Sequence, residues 1–416
     1  MKKITTLLMI ALLVFSCNND DDVLIPVCDT ATNVSSNSIT NNSATITWET
    51  SSTSATYTLE YGVSGFILGS GTTVSESDTA AELIGLEANT TYDVYIQTVC
   101  DPNNLSTQTD VYSFTTLPPN VATEFKPSLS EMNLFVGNLE DLQITPYAFK
   151  YNLSTTLFSD YAHKQRIIAL PEDTSMEFDG DGLPIFPDNT VIAKTFYYNT
   201  DERDLSLGRQ IIETRILIKI SGVWETGDYK WNAAQTEAVL DIAGSTLPIT
   251  WIDAEGTNNS ITYKIPSNTD CFTCHHNNDD IQPIGPKLRS MNFDIDGVNQ
   301  LEQFINNQQL TGVASSTSVR SLPNWEDTSL DIDERARAYM DINCAHCHIP
   351  GGSCADESTL NFAFETPLEE TNIEDQTFLI NYRINADVDG LRMPFIGTTI
   401  LHTEGVDLIQ EYIDTL

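Results

Sequence analysis

Apolar and polar residues alternate with a period of two along most of residues 26–117. Segments such as SATITWET, ATYTLEYG and TYDVYIQTVC place an apolar side chain at nearly every second position, with Ser, Thr, Asn and Gly frequent between them. This alternation is typical of β-strands that bury one face, and the polar breaks are typical of turns. We therefore predict a small all-β sandwich over residues 26–117.

The pattern changes twice beyond this region. TTLPPN at residues 115–120 is a proline-containing linker, and residues 121–266 carry longer strand-like segments such as VIAKTFYY and ETRILIKISGVW. From about residue 270 the apolar residues follow a helical period, which returns in DERARAYMDIN and in the terminal VDLIQEYIDTL. In GVNQLEQFINNQQL, the residues predicted to share one helix face are Val298, Leu301, Phe304 and Ile305. The chain is thus predicted to be multidomain, with a sandwich, a second β-rich domain and a mainly α C-terminal region.

Two segments of the first domain match a known module. Trp48 ends the strand SATITW, and Leu86 and Tyr92 lie in LEANTTYDVYIQ. They resemble a fibronectin type III domain, in which Trp48 would be the core tryptophan and Tyr92 the tyrosine-corner residue. The resemblance implies an immunoglobulin-like sandwich that acts as a spacer or adhesion module. Cys28 and Cys100 lie near its two ends, and we predict a disulfide between them.

The N-terminus has the features of an export signal. MKKITTLLMIALLVFSC combines two lysines with an apolar stretch that is too short to span a bilayer. LVFSC resembles a bacterial lipobox, which implies a signal peptide over residues 1–16 and lipidation of Cys17; an ordinary secretory cleavage site is the alternative. Residues 17–25 would be an acidic tether. We therefore expect an outer-membrane lipoprotein, exposed at the cell surface or facing the periplasm, whose cysteines enter an oxidising compartment.

The charge of the chain limits its partners. Of its 416 residues, 59 are acidic and 20 are basic, which gives a formal net charge of −39. Nucleic acid is excluded as a partner because its phosphates would be repelled. A basic redox protein fits this charge, and the membrane would be contacted through the lipid anchor.

Two C-x-x-C-H motifs carry the chemistry of the chain. They consist of Cys271, Cys274 and His275, and of Cys344, Cys347 and His348. This is the attachment motif of c-type haem, because two thiols one turn apart reach the two vinyl groups of a porphyrin and the next imidazole reaches the iron. Zinc is the alternative, but paired-cysteine zinc sites bring their pairs closer in sequence and do not explain a histidine after each pair. The motifs therefore predict two haem c groups.

The region around the second motif, residues 331–416, resembles a class I cytochrome c module. One predicted helix leads into the motif, and a terminal helix would pack against it. Between them, RMPFIG resembles the distal-ligand segment of such cytochromes, which implies that Met393 is the sixth iron ligand. His/Met ligation fills both axial positions and suits electron transfer.

The first motif, assigned to a module over residues 267–330, is less complete. Pro286 in PIGPK resembles the Gly-Pro segment whose carbonyl accepts the N–H of the proximal imidazole. Met291 is the nearest candidate for the sixth ligand in the sequence. The other candidates are His276, His163 and His402, and an open coordination position is a further alternative.

Residues 125–416 together resemble a family of exported bacterial dihaem c-type cytochromes of unknown physiological role. The matching segments occur in the family's order and include LFSDYAHKQRIIALP, FPDNTVIAKTFYY, CFTCHH, ARAYMDINCAHCHIPGG and RMPFIG. The resemblance implies a β domain fused to two haem modules, and it supplies haem ligands but no substrate. Electron transfer through the two haems is the leading hypothesis. A haem oxidoreductase, peroxidase-like or other, that uses the first haem is the alternative.

The sequence leaves two interpretations for one polar segment. LFSDYAHKQR places Asp160, Tyr161, His163, Lys164 and Arg166 close together in a highly acidic chain. It is interpreted either as a segment that binds haem propionates or a substrate, or as a solvated strand edge with one structural ion pair.

Overall fold

A computed structural model describes residues 27–52, 55–388 and 390–416. The chain divides into two compact units, the first ending at Leu117 and the second spanning Pro118–Leu416. The predicted signal peptide, the tether and Cys17 lie outside the described residues. Among the residues that are described, no helix has the length and apolar character needed to cross a membrane.

The first unit is a sandwich of two antiparallel sheets. One sheet has the order β1-β2-β5, and the other has the order β4-β3-β6-β7 with β8 pairing to β6. The alternation seen in the sequence explains the core: Ala44, Ile46 and Trp48 of one strand are all buried. The strands are β1 (Thr32–Asn37), β2 (Ser43–Glu49), β3 (Thr56–Val63), β4 (Thr72–Glu76), β5 (Ala80–Ile84), β6 (Thr91–Asp101), β7 (Asn104–Gln108) and β8 (Tyr112–Thr115).

Three contacts fix this sandwich. Trp48 packs edge-on against Tyr57, with ring centroids 5.1 Å apart. The backbone N–H of Glu87 donates to the hydroxyl of Tyr92 at 2.9 Å, which is the bond of a tyrosine corner. A disulfide joins Cys28 to Cys100, whose Cα atoms are 5.8 Å apart.

The second unit is built on a six-stranded antiparallel sheet of order β15-β14-β13-β12-β10-β9. One face is covered by the irregular segment that precedes β9, through the fully buried Leu129, Met132 and Leu134. The other face meets a two-stranded hairpin, β16–β17, and the C-terminal region. The strands are β9 (Ala148–Lys150), β10 (His163–Ala169), β11 (Met176–Glu177), β12 (Val191–Asn199), β13 (Arg209–Ile220), β14 (Val223–Trp231), β15 (Ala238–Leu240), β16 (Ser245–Ile252) and β17 (Asn258–Ile265).

The remainder of this unit is mainly helical, with short two-residue strands between the helices. The helices are α1 (Asn268–His275), α2 (Leu288–Met291), α3 (Gln300–Asn306), α4 (Ile332–Asn343), α5 (Leu368–Thr371), α6 (Thr377–Ile384) and α7 (Thr403–Ile413). The short strands are β18 (His276–Asn277), β19 (Asp280–Ile281), β20 (Asp294–Ile295), β21 (Val298–Asn299) and β22 (Leu310–Thr311). Leu301 and Phe304 of α3 are buried as predicted, but Val298 precedes the helix and is 50% exposed. The expectation that Val298 shares the buried face of that helix is therefore wrong.

Helices α4 and α7 pack against each other at a glycine. A Cβ atom at Gly405 would lie 2.2 Å from the hydroxyl oxygen of Tyr339, so only glycine allows this approach. Met340 of α4 is buried together with Leu408 and Ile409 of α7. The crossing brings the end of α4, where the second motif begins, beside the last helix of the chain.

Candidate functional site

The second C-x-x-C-H motif occupies a series of turns directly after α4. Cys344 follows the last helical residue, and its carbonyl accepts the backbone N–H groups of Cys347 at 3.1 Å and His348 at 3.0 Å. These turns hold both thiols and the imidazole at the end of a helix that the contact with α7 fixes in place. The motif is therefore rigidly positioned by local backbone hydrogen bonds.

The motif opens into a cavity of about 240 Å³. Cys344, Cys347 and His348 line this cavity together with Met393, which comes from the loop after α6. The backbone N–H of Met393 donates to the carbonyl of Arg383 at 3.0 Å, which ties that loop to the helix. Apolar side chains form much of the remaining wall, among them Met340, Leu360, Phe362, Ile380, Ile384, Ile396, Leu401 and Ile409.

The imidazole of His348 is half-buried beside this cavity. Its Nδ1 atom has no hydrogen-bond partner in the described part of the chain. Burial lowers the pKa of His348, so the ring is neutral near pH 7. An iron ion would bind the other ring nitrogen, Nε2, so the feature that points to a ligand is the position of this neutral imidazole on the cavity wall.

His402, a candidate ligand for the first haem, lies at this second cavity instead. Its Nδ1 is hydrogen-bonded to the hydroxyl of Tyr339 at 2.8 Å, and its ring stacks on Phe158 at 4.1 Å between centroids. The Nε2 atom of His402 lies 3.6 Å from the carboxylate of Glu404, so both ring nitrogens have polar neighbours, and Met393 is the better placed candidate ligand at the second cavity.

The first motif lies in α1, immediately after the hairpin β16–β17. Ser267 caps the helix by accepting the N–H of Asp270 at 3.2 Å, and the Asp270 carboxylate accepts the N–H of Ser267 at 3.0 Å in return. This capping box sets the start of the helix that carries Cys271, Cys274 and His275. The thiols here are thus presented by one helical turn, as the spacing of the motif requires.

The side chain of His275 is oriented by a backbone carbonyl. Its Nδ1–H donates to the carbonyl of Gln282 at 2.8 Å, because the hairpin β18–β19 folds the chain back onto α1. Burial lowers the pKa of His275 to about 3, which keeps the imidazole neutral. The sequence predicted that a carbonyl of the Pro286 segment would accept the imidazole N–H. Pro286 lines a neighbouring cavity instead, and the carbonyl of Gln282 is the acceptor. A donated Nδ1–H fixes the tautomer in which Nε2 is free for a metal.

None of the sequence candidates for the sixth ligand of the first haem lines the two cavities next to His275 in the described chain. Met291 is fully buried in the apolar core around α3. His276 is bonded through Nδ1 to the carbonyl of Phe272 at 2.9 Å, and His163 pairs with Glu202 at 2.7 Å. The histidine that does line one of these cavities is His346, inside the second motif.

The two motifs meet in space. The thiols of Cys274 and Cys347 lie close enough to affect each other's ionisation: Cys347 raises the pKa of Cys274, and Cys274 lowers the pKa of Cys347. The backbone N–H of Asn278 donates to the carbonyl of Gly351 at 2.7 Å, and His346 lines the second cavity as well as one beside the first motif. Two attachment segments separated by most of the C-terminal region in sequence are therefore direct neighbours.

The ligand set of a zinc site is not assembled. No group of three or more His, Cys, Asp or Glu side chains within the described ranges converges as it would around a metal ion. A c-type haem requires a different arrangement, in which two thiols bind the porphyrin and one imidazole approaches the iron from one side. Each of the two motifs provides that set.

A buried carboxylate supports the loop that carries Met393. Asp160 is 2% exposed, and it accepts the backbone N–H of Thr399 at 2.8 Å, its hydroxyl at 2.8 Å and the N–H of Ile400 at 3.3 Å. The polar segment before β10 thus contributes an anchor for the Met393 loop. Neither sequence interpretation of this segment included that role, because its partners lie far away in the sequence.

Comparison with known proteins identifies the first unit. A model of the fibronectin type III domain matches residues 29–113. The chain is similar to the fibronectin type III domain of human contactin 1, with 16% identity, 22% of this chain and 78% of that chain covered, and a TM-score of 0.21. It is also similar to the FN5 domain of Drosophila Lar, with 13% identity, 23% and 100% coverage, and a TM-score of 0.20.

A third similar structure, described as a myokine structure, shares 19% identity over 22% of this chain and 97% of that chain, with a TM-score of 0.19. No curated protein matches the chain. Residues 29–113 form a fibronectin type III domain.

Proposed function

We propose that the protein is a membrane-anchored dihaem c-type cytochrome that transfers electrons through two covalently bound haems. The observation that supports this most strongly is that Cys344, Cys347, His348 and Met393 line one mainly apolar cavity. Met393 was predicted as a ligand from a short sequence resemblance. It is distant from the motif in the sequence, so its position at the same cavity does not follow from the local chain.

Each haem would be held by its own set of residues. Cys344 and Cys347 would form the thioether bonds of the second haem, and His348 and Met393 would bind its iron. Cys271 and Cys274 would attach the first haem, with His275 as the proximal ligand. When bound, the haem supplies a one-electron couple; the protein supplies neutral imidazoles, an apolar enclosure and, at the second site, a thioether ligand that raises the potential.

The contact between the two motifs supports transfer between the haems. The thiols of Cys274 and Cys347 lie close enough to shift each other's pKa, so the two haems would be attached at neighbouring points. The acidic surface of the chain favours a basic redox partner. A lipid at Cys17 would anchor the protein to the outer membrane.

A haem oxidoreductase that acts at the first haem is the second candidate. It is favoured by one observation: in the described chain, none of Met291, His276, His163 and His402 lines the cavities beside His275. The spin state of the oxidised protein separates the two functions. Two low-spin haems support electron transfer, whereas one high-spin haem supports catalysis at an open site.

Covalent haem content tests the proposal directly. The protein is produced in a host that matures c-type cytochromes, and the denatured chain is examined by mass spectrometry and by haem staining. Two haems are expected in the unmodified chain and one in each of two matched double variants, C271A/C274A and C344A/C347A. A chain that carries zinc, or no covalent haem, under these conditions would contradict the proposal.

A further inference from the structure

One face of α6 is apolar and exposed. The helix buries Ile380 and Ile384 in the core that it shares with α4 and α7. Phe378 and Tyr382 are one turn apart on another side of the helix, where their rings stack with centroids 6.5 Å apart. Phe378 is 84% exposed and Tyr382 is 50% exposed. Two large aromatic side chains of this helix are therefore in contact with water.

The loop after α6 extends this apolar surface. Leu391 and Phe395, which flank Met393 in the sequence, are both exposed, and so is Leu379 of α6. The guanidinium of Arg383, in the last turn of α6, donates to the carbonyl of Leu391 and so ties the loop to the helix. We call the exposed apolar side chains of this helix and loop the apolar patch; they are Phe378, Leu379, Tyr382, Leu391 and Phe395.

The apolar patch reaches the wall of the second cavity. Leu379 and Phe395 line that cavity together with Met393, and the exposed Glu357 lies on the same wall. In the described part of the chain, no large apolar side chain that is exposed lines either of the two cavities beside His275. The exposed apolar surface therefore leads to the second motif and not to the first.

The surroundings of the apolar patch are acidic. Glu374 and Asp375 lie in the turn directly before α6, and Asp387 follows the helix. All three carboxylates are exposed. Arg383 is the only basic residue in the sequence from 356 to 388, and its guanidinium is bonded to the loop. The patch is thus an apolar centre with a negatively charged rim.

This combination selects the kind of partner that fits. An exposed apolar surface with a polar rim marks an interaction site, and aromatic side chains near its centre commonly contribute most of the binding energy. A second copy of the chain would bring the same acidic rim and a net charge of −39 against the first, and an anionic lipid surface would be repelled in the same way. A protein with an apolar contact area ringed by lysine and arginine is complementary in both respects.

We propose that the apolar patch is the docking surface for such a basic redox protein, and that electrons enter or leave the chain through the second haem. This inference rests on the proposed function. The net charge of the chain favours a basic partner but does not say where it binds. The position of the patch on the wall of the second cavity assigns both the surface and the haem that exchanges electrons with the partner.

Isothermal titration calorimetry of the holoprotein tests the docking surface. The probe is a small basic cytochrome c, and both proteins are oxidised so that no electron is transferred during the titration. Phe378→Ser should weaken binding by roughly ten-fold, because an aromatic side chain buried in an interface contributes at least that factor. Tyr382→Ser is a second variant of the same helix face. Replacing Glu374 with Gln and Asp375 with Asn together should weaken binding mainly at low salt.

Each change has a matched control in the same unit. Leu205→Ser removes an equally exposed apolar side chain from the turn between β12 and β13. Glu140→Gln combined with Asp141→Asn neutralises a neighbouring pair of exposed carboxylates in the segment before β9. Both controls should bind the probe as the unmodified protein does. The spectrum and potentials of both haems should be unchanged in Phe378→Ser, which shows that the variant has folded and kept its haems.

Four results would overturn the inference. The first is that the basic probe shows no saturable binding, and the second is that the control variants weaken binding as much as Phe378→Ser does. The third is a dimer in sedimentation velocity that Phe378→Ser dissociates, which would assign the patch to a second copy of the chain. The fourth is binding to phosphatidylethanolamine–phosphatidylglycerol vesicles that the same variant abolishes. Failure of the proposed function is distinguishable, since the unmodified chain would then carry no covalent haem.

Discussion

Replacing Asp160 with Asn should loosen the loop that carries Met393. The carboxylate of Asp160 accepts three donors from Thr399 and Ile400, which follow Met393 in the same loop. An asparagine has the same shape, but one of its two terminal atoms becomes a donor. That amide N–H₂ would face the N–H donors of the loop, so one or two of the three bonds are lost.

The structure sets the size of the effect. A hydrogen bond to a charged group contributes about 1.5–3 kcal/mol, and burial raises the pKa of Asp160, which means that part of this gain is offset by desolvation of the charge. We therefore expect a net loss of about 2 kcal/mol. Since about 1.4 kcal/mol corresponds to a factor of ten, the balance between the Met-bound and Met-free loop should shift by roughly 30-fold.

Competition with added imidazole measures that balance. Imidazole displaces a weakly held methionine from haem iron, and its apparent affinity for the second haem should rise by roughly 30-fold in D160N. Thr399→Val removes only the hydroxyl bond and should give a smaller rise. Asp204→Asn, in a turn of the same unit away from this loop, is the matched control and should behave as the unmodified protein. If D160N binds imidazole with the same affinity as the unmodified protein, the buried carboxylate does not hold the loop that carries Met393.

The remaining predictions concern the second haem and the helix before it. Met393→Ala should abolish the spectral band of methionine ligation in the oxidised protein and lower one potential; an unchanged spectrum would show that another residue binds the iron. Asp341→Asn should lower the free energy of unfolding by about 3 kcal/mol in urea titrations, because the partly buried Lys287 loses its carboxylate partner and the buried Arg289 keeps only Glu365, whereas the exposed Asp333→Asn should not. Burial alone would raise the pKa of Asp341, but Lys287 and Arg289 outweigh it and lower the pKa. The carboxylate therefore stabilises the fold at pH values above the ordinary aspartate pKa, and this stabilisation is lost as the pH falls through the lowered pKa. A fragment of residues 331–416 should not fold alone by circular dichroism, since Asp341 and the cavity wall need partners from earlier residues; a cooperative melt would contradict this.

Local sequence patterns predicted the parts of this protein that depend on neighbouring residues. The period of two located the sandwich strands, Trp48 and Tyr92 marked its core and its corner, and the spacing of each C-x-x-C-H motif put its side chains together. The helix before the second motif was also visible, because Ala336, Tyr339 and Met340 form one buried face of α4. In these cases the residues that determine the structure lie within one or two turns of each other.

The features that the sequence did not reveal depend on strand register and on long loops. Arg166, Lys194 and Arg215 lie side by side only because three strands pair in this register, and a shift of one residue would turn one of them to the other face of the sheet. Sequence proximity favoured Met291 as a ligand, but tertiary packing places it in the core around α3. The acceptor for His275 was expected at the Pro286 segment, but the short hairpin after α1 brings the carbonyl of Gln282 there first.

The segment from residue 157 to 166 connects the two proposed haem environments. Phe158 lines the second cavity and one cavity beside the first motif, and Leu157 lines both cavities at the first. Asp160 holds the Met393 loop from one end of the segment, while Arg166, at the other end, lies on β10 of the central sheet and lines one cavity beside the first motif. These residues are consecutive and continue into a central strand, so one stretch of backbone joins the two sets of cavities. We infer that the β-rich region is part of both proposed haem sites, because it lines the cavities at the first motif and anchors the Met393 loop at the second.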